Sequence, residues 1–218
     1  MSDSSIKAPT PQSIYSGMAV PGRAVPRPED IYNVPMNIVN CLVEIIPKIQ
    51  ATGAWWSLGG DLSENMLDVH LRPTEVEILT NGEGLEKIVK ALSEYNPPPP
   101  EVREWKLDRE AEPGLSPNDR YPVFARSTNT QFTSKGVKII IDADYQMKVG
   151  EWEWGDPLFF EPVYMNLASM QVPLTPLRIR SEIYLGLGWE DRATNVAEAF
   201  KRSHAYLPEL VKGFGRRS

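Results

Sequence analysis

Two short segments hold the residues best suited to chemistry. Leu58-Gly59-Gly60 comes first, and Glu75-Val76-Glu77-Ile78 follows after residues 61–74. Side chains two apart on a strand point to the same face, so Glu75 and Glu77 present two carboxylates together. Paired oxygen ligands suit Mg²⁺ or Mn²⁺, as in phosphoryl-transfer sites. Gly59-Gly60 lets backbone approach a phosphate closely, and the helix predicted to follow offers free N–H groups. Strand, Gly-Gly, helix and acid-x-acid strand together form a layout for binding a metal–triphosphate. The bland alternatives are a solvated edge-strand face for the two acids and a tight turn for the glycines.

The other reactive residue types carry less. His70 reads as a strand-face histidine and His204 as a surface residue of the last helix. Cys41 lies in an apolar helical run, where a free cysteine acts as small hydrophobic filler. Lys135, Lys138 and Lys148 could attract a phosphate, but scattered lysines are as a rule solvated. Trp55 and Trp56 face opposite ways on a strand, which places at least one in the core. Trp152 and Trp154, among Glu151, Glu153 and Asp156, share a face that either lines a pocket or packs.

The elements that must position these residues follow from periodicity and punctuation. Ile38, Leu42, Ile45 and Ile46 predict a helix over Met36–Gln50, kinked or ended by Pro47. Ala54–Leu58 reads as a short buried strand closed by Gly59-Gly60, and Asp61–Leu67 as a short helix capped by Asp61 or Ser63. Val69–Leu71 and Val76–Leu79 look like strand material, Asn81-Gly82 like a turn, and Gly84–Tyr95 like a helix with one core face. Pro97–Pro100 must be extended, and a polar connection is expected from there to Asn118. Val123–Thr133 and Val137–Ile141 should pair as a hairpin around Ser134-Lys135-Gly136. Met165–Val172 is a further strand, and Leu177–Leu187 and Asp191–Tyr206 are closing helices. The strands around Trp55–Leu58, Val76–Leu79 and Val137–Ile141 should share one mixed sheet with helices on one face.

Composition sets the class. The chain has 218 residues, 41% hydrophobic and 24% charged, which suits one globular domain with an appendage. Residues 1–28, rich in Ser, Pro, Gly and Ala, read as an N-terminal extension, with residues 29–218 as the domain. A net charge of −6 gives no strong nucleic-acid signal. One cysteine allows no internal disulfide, so a cytoplasmic setting is expected. No apolar run suggests a membrane span or a secretory signal.

The two segments resemble the signature elements of the nucleotidyltransferase superfamily, a hydrophobic-Gly-Gly element and an acid-hydrophobic-acid strand. Val137–Met147, then Gln171-Val172-Pro173-Leu174, then Glu182–Asn195 with Trp189-Glu190-Asp191-Arg192, are similar to the strand, strand and helix order of its small domains. The likeness spans residues 36–200, with archaeal nucleotidyltransferase-like proteins as the suggested kin. It implies an α/β fold of the α+β type, with a mixed sheet, flanking helices and C-terminal helices. It further implies a nucleoside triphosphate held near Gly59, Gly60 and Asp61, and a divalent cation on Glu75 and Glu77. The third carboxylate it expects on a later strand is matched nearest by Asp142 or Asp144. Asp61 stands where the family has Ser or Thr, and both members of the acid pair are Glu.

Two functions fit. One is metal-dependent transfer of a nucleoside monophosphate from a triphosphate to an acceptor that the sequence does not name. The other is a silent domain of the same fold that binds a nucleotide or a protein partner. A homo-oligomer stays open in both.

Overall fold

The apolar stripe read between Met36 and Gln50 becomes a helix over that same span. The computed structural model describes residues 34–69, 71–107, 122–167, 170–187 and 189–204. The extension expected over residues 1–28, His70 and the His204 side chain lie outside the described residues. Helix α1 (Met36–Gln50) buries Ile38, Cys41, Leu42, Ile45, Ile46 and Ile49, and Pro47 sits in its last turn without ending it. Strand β1 (Trp56–Leu58) is buried throughout, and α2 (Gly60–Met66) follows directly. Gly59 is the N-cap of α2 and no side chain caps it, so neither Asp61 nor Ser63 has the expected capping role.

Strand β2 spans Glu75–Thr80, while Val69 and Leu71, expected as strand, are irregular. Asn81 belongs to no free turn. It caps α3 (Gly82–Ala91), its side chain accepting a 2.7 Å bond from the Gly84 N–H. The helix read as running to Tyr95 stops earlier, and a single 3₁₀ turn covers Ser93–Tyr95. The polar connection expected after the prolines opens instead with β3 (Glu101–Leu107). Strands β4 (Val123–Ser134) and β5 (Val137–Val149) make the expected hairpin. Because β5 runs on to Val149, Asp142 and Asp144 lie within the strand rather than at its end. The single strand expected over Met165–Val172 is a pair, β6 (Val163–Leu167) and β7 (Met170–Leu174), joined antiparallel. Helices α4 (Leu177–Leu187) and α5 (Glu190–His204) follow.

One seven-stranded sheet collects these strands in the order β3-β4-β5-β2-β1-β7-β6. Pairs β1–β7 and β2–β5 are parallel and the remainder antiparallel, which makes the sheet mixed, with β1, β2 and β5 together at its centre. Val76 and Ile78 of β2, with Val137, Ile139, Ile141 and Ala143 of β5, pack in one core with the stripes of α1 and α3. Alternation then puts Glu75, Glu77 and Asp142 on the opposite face.

Helices cover that opposite face too, where a one-sided layer was expected. Leu177, Ile183 and Tyr184 of α4 and Ala193, Val196 and Ala199 of α5 form a second core with Val123. A bulge explains how β5 serves both cores. Its register against β4 slips between Arg126 and Thr128, with Asp144 at φ 52°, so later residues switch faces and Met147 and Val149 pack on the second core. Among the described residues no helix is long and apolar enough to cross a membrane.

Candidate functional site

Strand β2 is the fourth of seven strands, so Glu75 and Glu77 stand at the middle of the sheet and not on an edge. The Gly59 N–H donates to the Glu77 carbonyl at 2.9 Å, tying the end of β1 across β2. Both glycines lie directly over the Glu77 side chain. A β-carbon on Gly60 would meet its Oε2 at 2.7 Å, and Gly60 also holds φ at 58°, the left-handed region that favours glycine. The Gly-Gly pair thus makes room for a carboxylate.

These residues open into a cavity of about 150 Å³. One wall is Gly59, Gly60, Asp61, Glu75 and Glu77, and the other is Arg180, Tyr184 and Arg192 from the C-terminal helices. Glu77 is half-buried. Burial pushes its carboxyl up to about 7, with Asp142, Glu75 and Glu64 adding to the rise and the Arg180 guanidinium opposing it. The Glu75 side chain is 42% exposed and pairs with Lys138 Nζ at 3.2 Å.

Asp142 sits on β5 opposite Leu79 of β2, while Glu77 sits opposite Ile140. One strand spacing and two residues of rise separate it from Glu77, about 8 Å between Cα atoms. Asp142 is buried and its Oδ1 accepts a 2.6 Å bond from Ser127. Burial raises its carboxyl, bonds from Ser127 and Asn129 and the charge of Arg103 hold it down, and Glu75 raises it further. Asp144 goes elsewhere: the bulge turns it toward α3, where its Oδ1 accepts from the Gly82 N–H at 3.2 Å. The structure therefore brings Glu75, Glu77 and Asp142 to one face and separates Asp144 from them.

Asp61 reaches across to Arg192 of α5 as an ion pair. Beneath it, Glu64 is fully buried and accepts from Arg180 Nε at 2.6 Å and from the Tyr184 hydroxyl. Arg192 lies 3.6 Å from the second Glu64 oxygen and over the Tyr184 ring at 4.6 Å. Sequence reasoning did not single out Glu64, Arg180, Tyr184 or Arg192 as site residues. The four-residue spacing of Arg180 and Tyr184 on α4 was the signal available, and nothing marked Glu64.

The lysines named in the sequence do not line the cavity. Lys138 is on Glu75, Lys135 pairs with Glu44, and Lys148 lies over the Trp154 ring at 4.8 Å. Trp154 also lies beneath Arg126 at 4.4 Å, Trp152 is exposed, and Trp56 joins the core while Trp55 meets Phe159 at a tilt and Phe160 edge-on.

The donor set fits a hard cation on one specific ground. Glu75, Glu77 and Asp142 offer oxygen alone, and burial first, then neighbouring acids, raises the Glu77 carboxyl, a rise that a cation would oppose. They do not form a closed cage, since among the described residues no three His, Cys, Asp or Glu side chains converge on one point. Mg²⁺ seldom needs such a cage, because one or two carboxylates and substrate phosphates suffice.

This architecture is the nucleotidyltransferase-like α/β fold. TM1012 of Thermotoga maritima, provisionally named a nucleotidyltransferase, superposes with a TM-score of 0.56 at 18% identity, over 78% of this chain and 97% of that one. ANT(2")-Ia, solved with adenylyl-2"-tobramycin, aligns over 76% of this chain and 98% of its own at 8% identity, but its TM-score of 0.36 is too low to inform the argument. No family model and no curated protein matches the sequence.

Proposed function

We propose that the cavity beneath Gly59-Gly60 binds the triphosphate of a nucleotide with a divalent cation, and that the chain transfers the nucleoside monophosphate to an acceptor. The observation that supports this reading is the carboxylate of Glu77, desolvated under two glycines and facing Arg180 across the cavity. Active sites are where burial and like charges shift carboxyl pKa values, so an acid of raised pKa in a cleft is a candidate for function.

Glu75 and Glu77 would hold Mg²⁺ or Mn²⁺, with Asp142 beside them, and the cation would neutralise phosphate charge. The acceptor oxygen attacks the α-phosphorus, the bond to the β-phosphate oxygen breaks, and pyrophosphate leaves. Asp142, whose Oδ1 accepts from Ser127, would take the acceptor's proton. Catalysis would rest on positioning and charge, as phosphoryl transfer requires. A cavity of about 150 Å³ houses phosphates and not a whole nucleotide. Thr74 also lines a wider groove of about 400 Å³ with Pro35, Asn37, Ile38, Arg72 and Pro73, and this gives the nucleoside a place to lie. Magnesium and nucleoside triphosphates are abundant in the cytoplasm, the setting in which we place the protein.

One observation favours the silent alternative. Glu75 is drawn to Lys138, which lowers the charge available to a cation. Calorimetry with each common nucleoside triphosphate, with and without Mg²⁺, separates the readings. Mg²⁺-dependent binding that Glu77→Gln abolishes supports the proposal, and release of pyrophosphate with an acceptor extract establishes transfer. If no triphosphate binds at millimolar concentration, the nucleotide reading is lost.

A further inference from the structure

We propose that Arg192, backed by Arg180, is the phosphate-binding cation of this cavity, and that Asp61 stores Arg192 until an anion takes it. The inference rests on the reading above and names the groups that would grip the phosphate chain. Asp61 follows Gly59-Gly60, so no hydroxyl is offered at that point. Helix α2 has seven residues, too few for a strong terminal dipole. Lys135 and Lys148 are engaged elsewhere, and Lys138 does not line the cavity and is held by Glu75. The cations lining the cavity are Arg180 and Arg192.

Arg192 stands where a merely structural arginine is not expected. It lies in the first turn of α5, beside Glu190 and Asp191, and a helix N-terminus disfavours a cation. Its Nε is buried with no hydrogen-bond partner, and the ring of Tyr184 supports the guanidinium plane at 4.6 Å. A guanidinium carries five N–H donors, so Asp61 leaves several to spend.

Burial decides which arginine moves. The Arg180–Glu64 pair has side chains 12% and 0% exposed, and breaking it would strand a buried charge. The Arg192–Asp61 pair is 32% and 48% exposed, and pairs in such surroundings hold weakly, while the longer 3.6 Å approach of Arg192 to Glu64 leaves that acid still held by Arg180 if Arg192 moves. A phosphate, with more charge than one carboxylate and a geometry that matches the guanidinium fork, competes well for Arg192. Arg180 stays fixed and adds its field. The negative charge at Asp61 is thereby part of the binding device, compensated while the cavity is empty and displaced when it fills.

Calorimetry with inorganic tripolyphosphate and with ATP, each with Mg²⁺, tests the inference on wild type, Arg192→Gln, Arg192→Lys and Asp61→Asn, with melting curves as a fold control. Arg192→Gln should weaken tripolyphosphate binding about tenfold, the loss of one charged hydrogen-bonding group, and flatten its salt dependence. Arg192→Lys should fall between Gln and wild type. Asp61→Asn should bind more tightly than wild type, because a competing acid is gone. Equal binding by folded Arg192→Gln and wild type, or an Asp61→Asn protein that binds no more tightly than wild type, overturns the assignment while leaving nucleotide binding intact. Wild type that binds tripolyphosphate through Arg192 but no nucleotide upholds the grip and removes the transfer reading. Failure to bind either anion removes both.

Discussion

The Glu77 carboxylate fills the space that a side chain on Gly59 would need. A β-carbon on Gly59 would lie 2.8 Å from Oε1 of Glu77 and 3.3 Å from Cγ of Leu79. The strand acid and the loop glycine are therefore one unit. Gly59→Ala should swing the flexible carboxylate away and cost little stability while removing triphosphate binding. Gly60→Ala adds a left-handed backbone that a side chain resists, worth about 1 kcal/mol or more. Melting and calorimetry on the two variants should show this split, and an unchanged affinity in Gly59→Ala would contradict it.

Acidity at Glu77 should be visible in stability. Its folded carboxyl is pushed up to about 7 from an ordinary 4.5, so the folded state holds a proton that the unfolded chain releases sooner. This contribution is complete below about 4.5 and fades as pH rises through about 7. Asp142, raised in the same direction, adds to the trend. Thermal melting from pH 4 to 8 should fall more steeply for wild type than for Glu77→Gln, and Mg²⁺ should reduce the difference. Parallel profiles for the two proteins would show that Glu77 ionises freely.

Glu64 should matter chiefly to folding. It is fully buried and joins Arg180, Tyr184 and Arg192, so its loss strands the buried Arg180. Glu64→Gln should cost about 3 kcal/mol by urea unfolding, the usual penalty for breaking a buried pair from one side. A loss under about 1 kcal/mol would mean that water or relaxation replaces it.

Asn81 closes the N-terminus of α3 with one bond to the Gly84 N–H at 2.7 Å. Asn81→Ala should lower stability by about 1 kcal/mol, and Asn81→Asp should keep it. Chemical denaturation of both variants checks the cap independently of the cavity.

Local patterns were legible in the sequence and long-range meetings were not. The stripe Ile38, Leu42, Ile45 and Ile46 marked α1, and Val137–Ile141 marked the start of β5, because burial on one face leaves a period. Strand β3 escaped notice because its residues are mostly exposed, and Glu101, Arg103, Glu104 and Lys106 read as connection. Asp144 could not be told from Asp142, since a bulge reverses side-chain parity without a strong sequence mark. The acid pair and Gly-Gly element were visible as a unit because few residues separate them. The second wall of the cavity was hidden: Arg180 and Arg192 lie far along the chain, and only the docking of α4 and α5 onto the acid face brings them to Glu64 and Asp61.

The pairing of β1 with β7 has a consequence for synthesis. Leu58 stands opposite Leu174, and the Thr175 hydroxyl bonds the Leu58 carbonyl at 2.8 Å. The ribosome must add more than half of the chain after β1 before that partner emerges. Until then β1 is an open hydrogen-bonding edge, lined by Trp56 and Leu58, that invites pairing with other chains. The wall that completes the cavity arrives later still, so a nascent or truncated chain ending before Met170 should be prone to aggregation and should lack the grip on anions altogether.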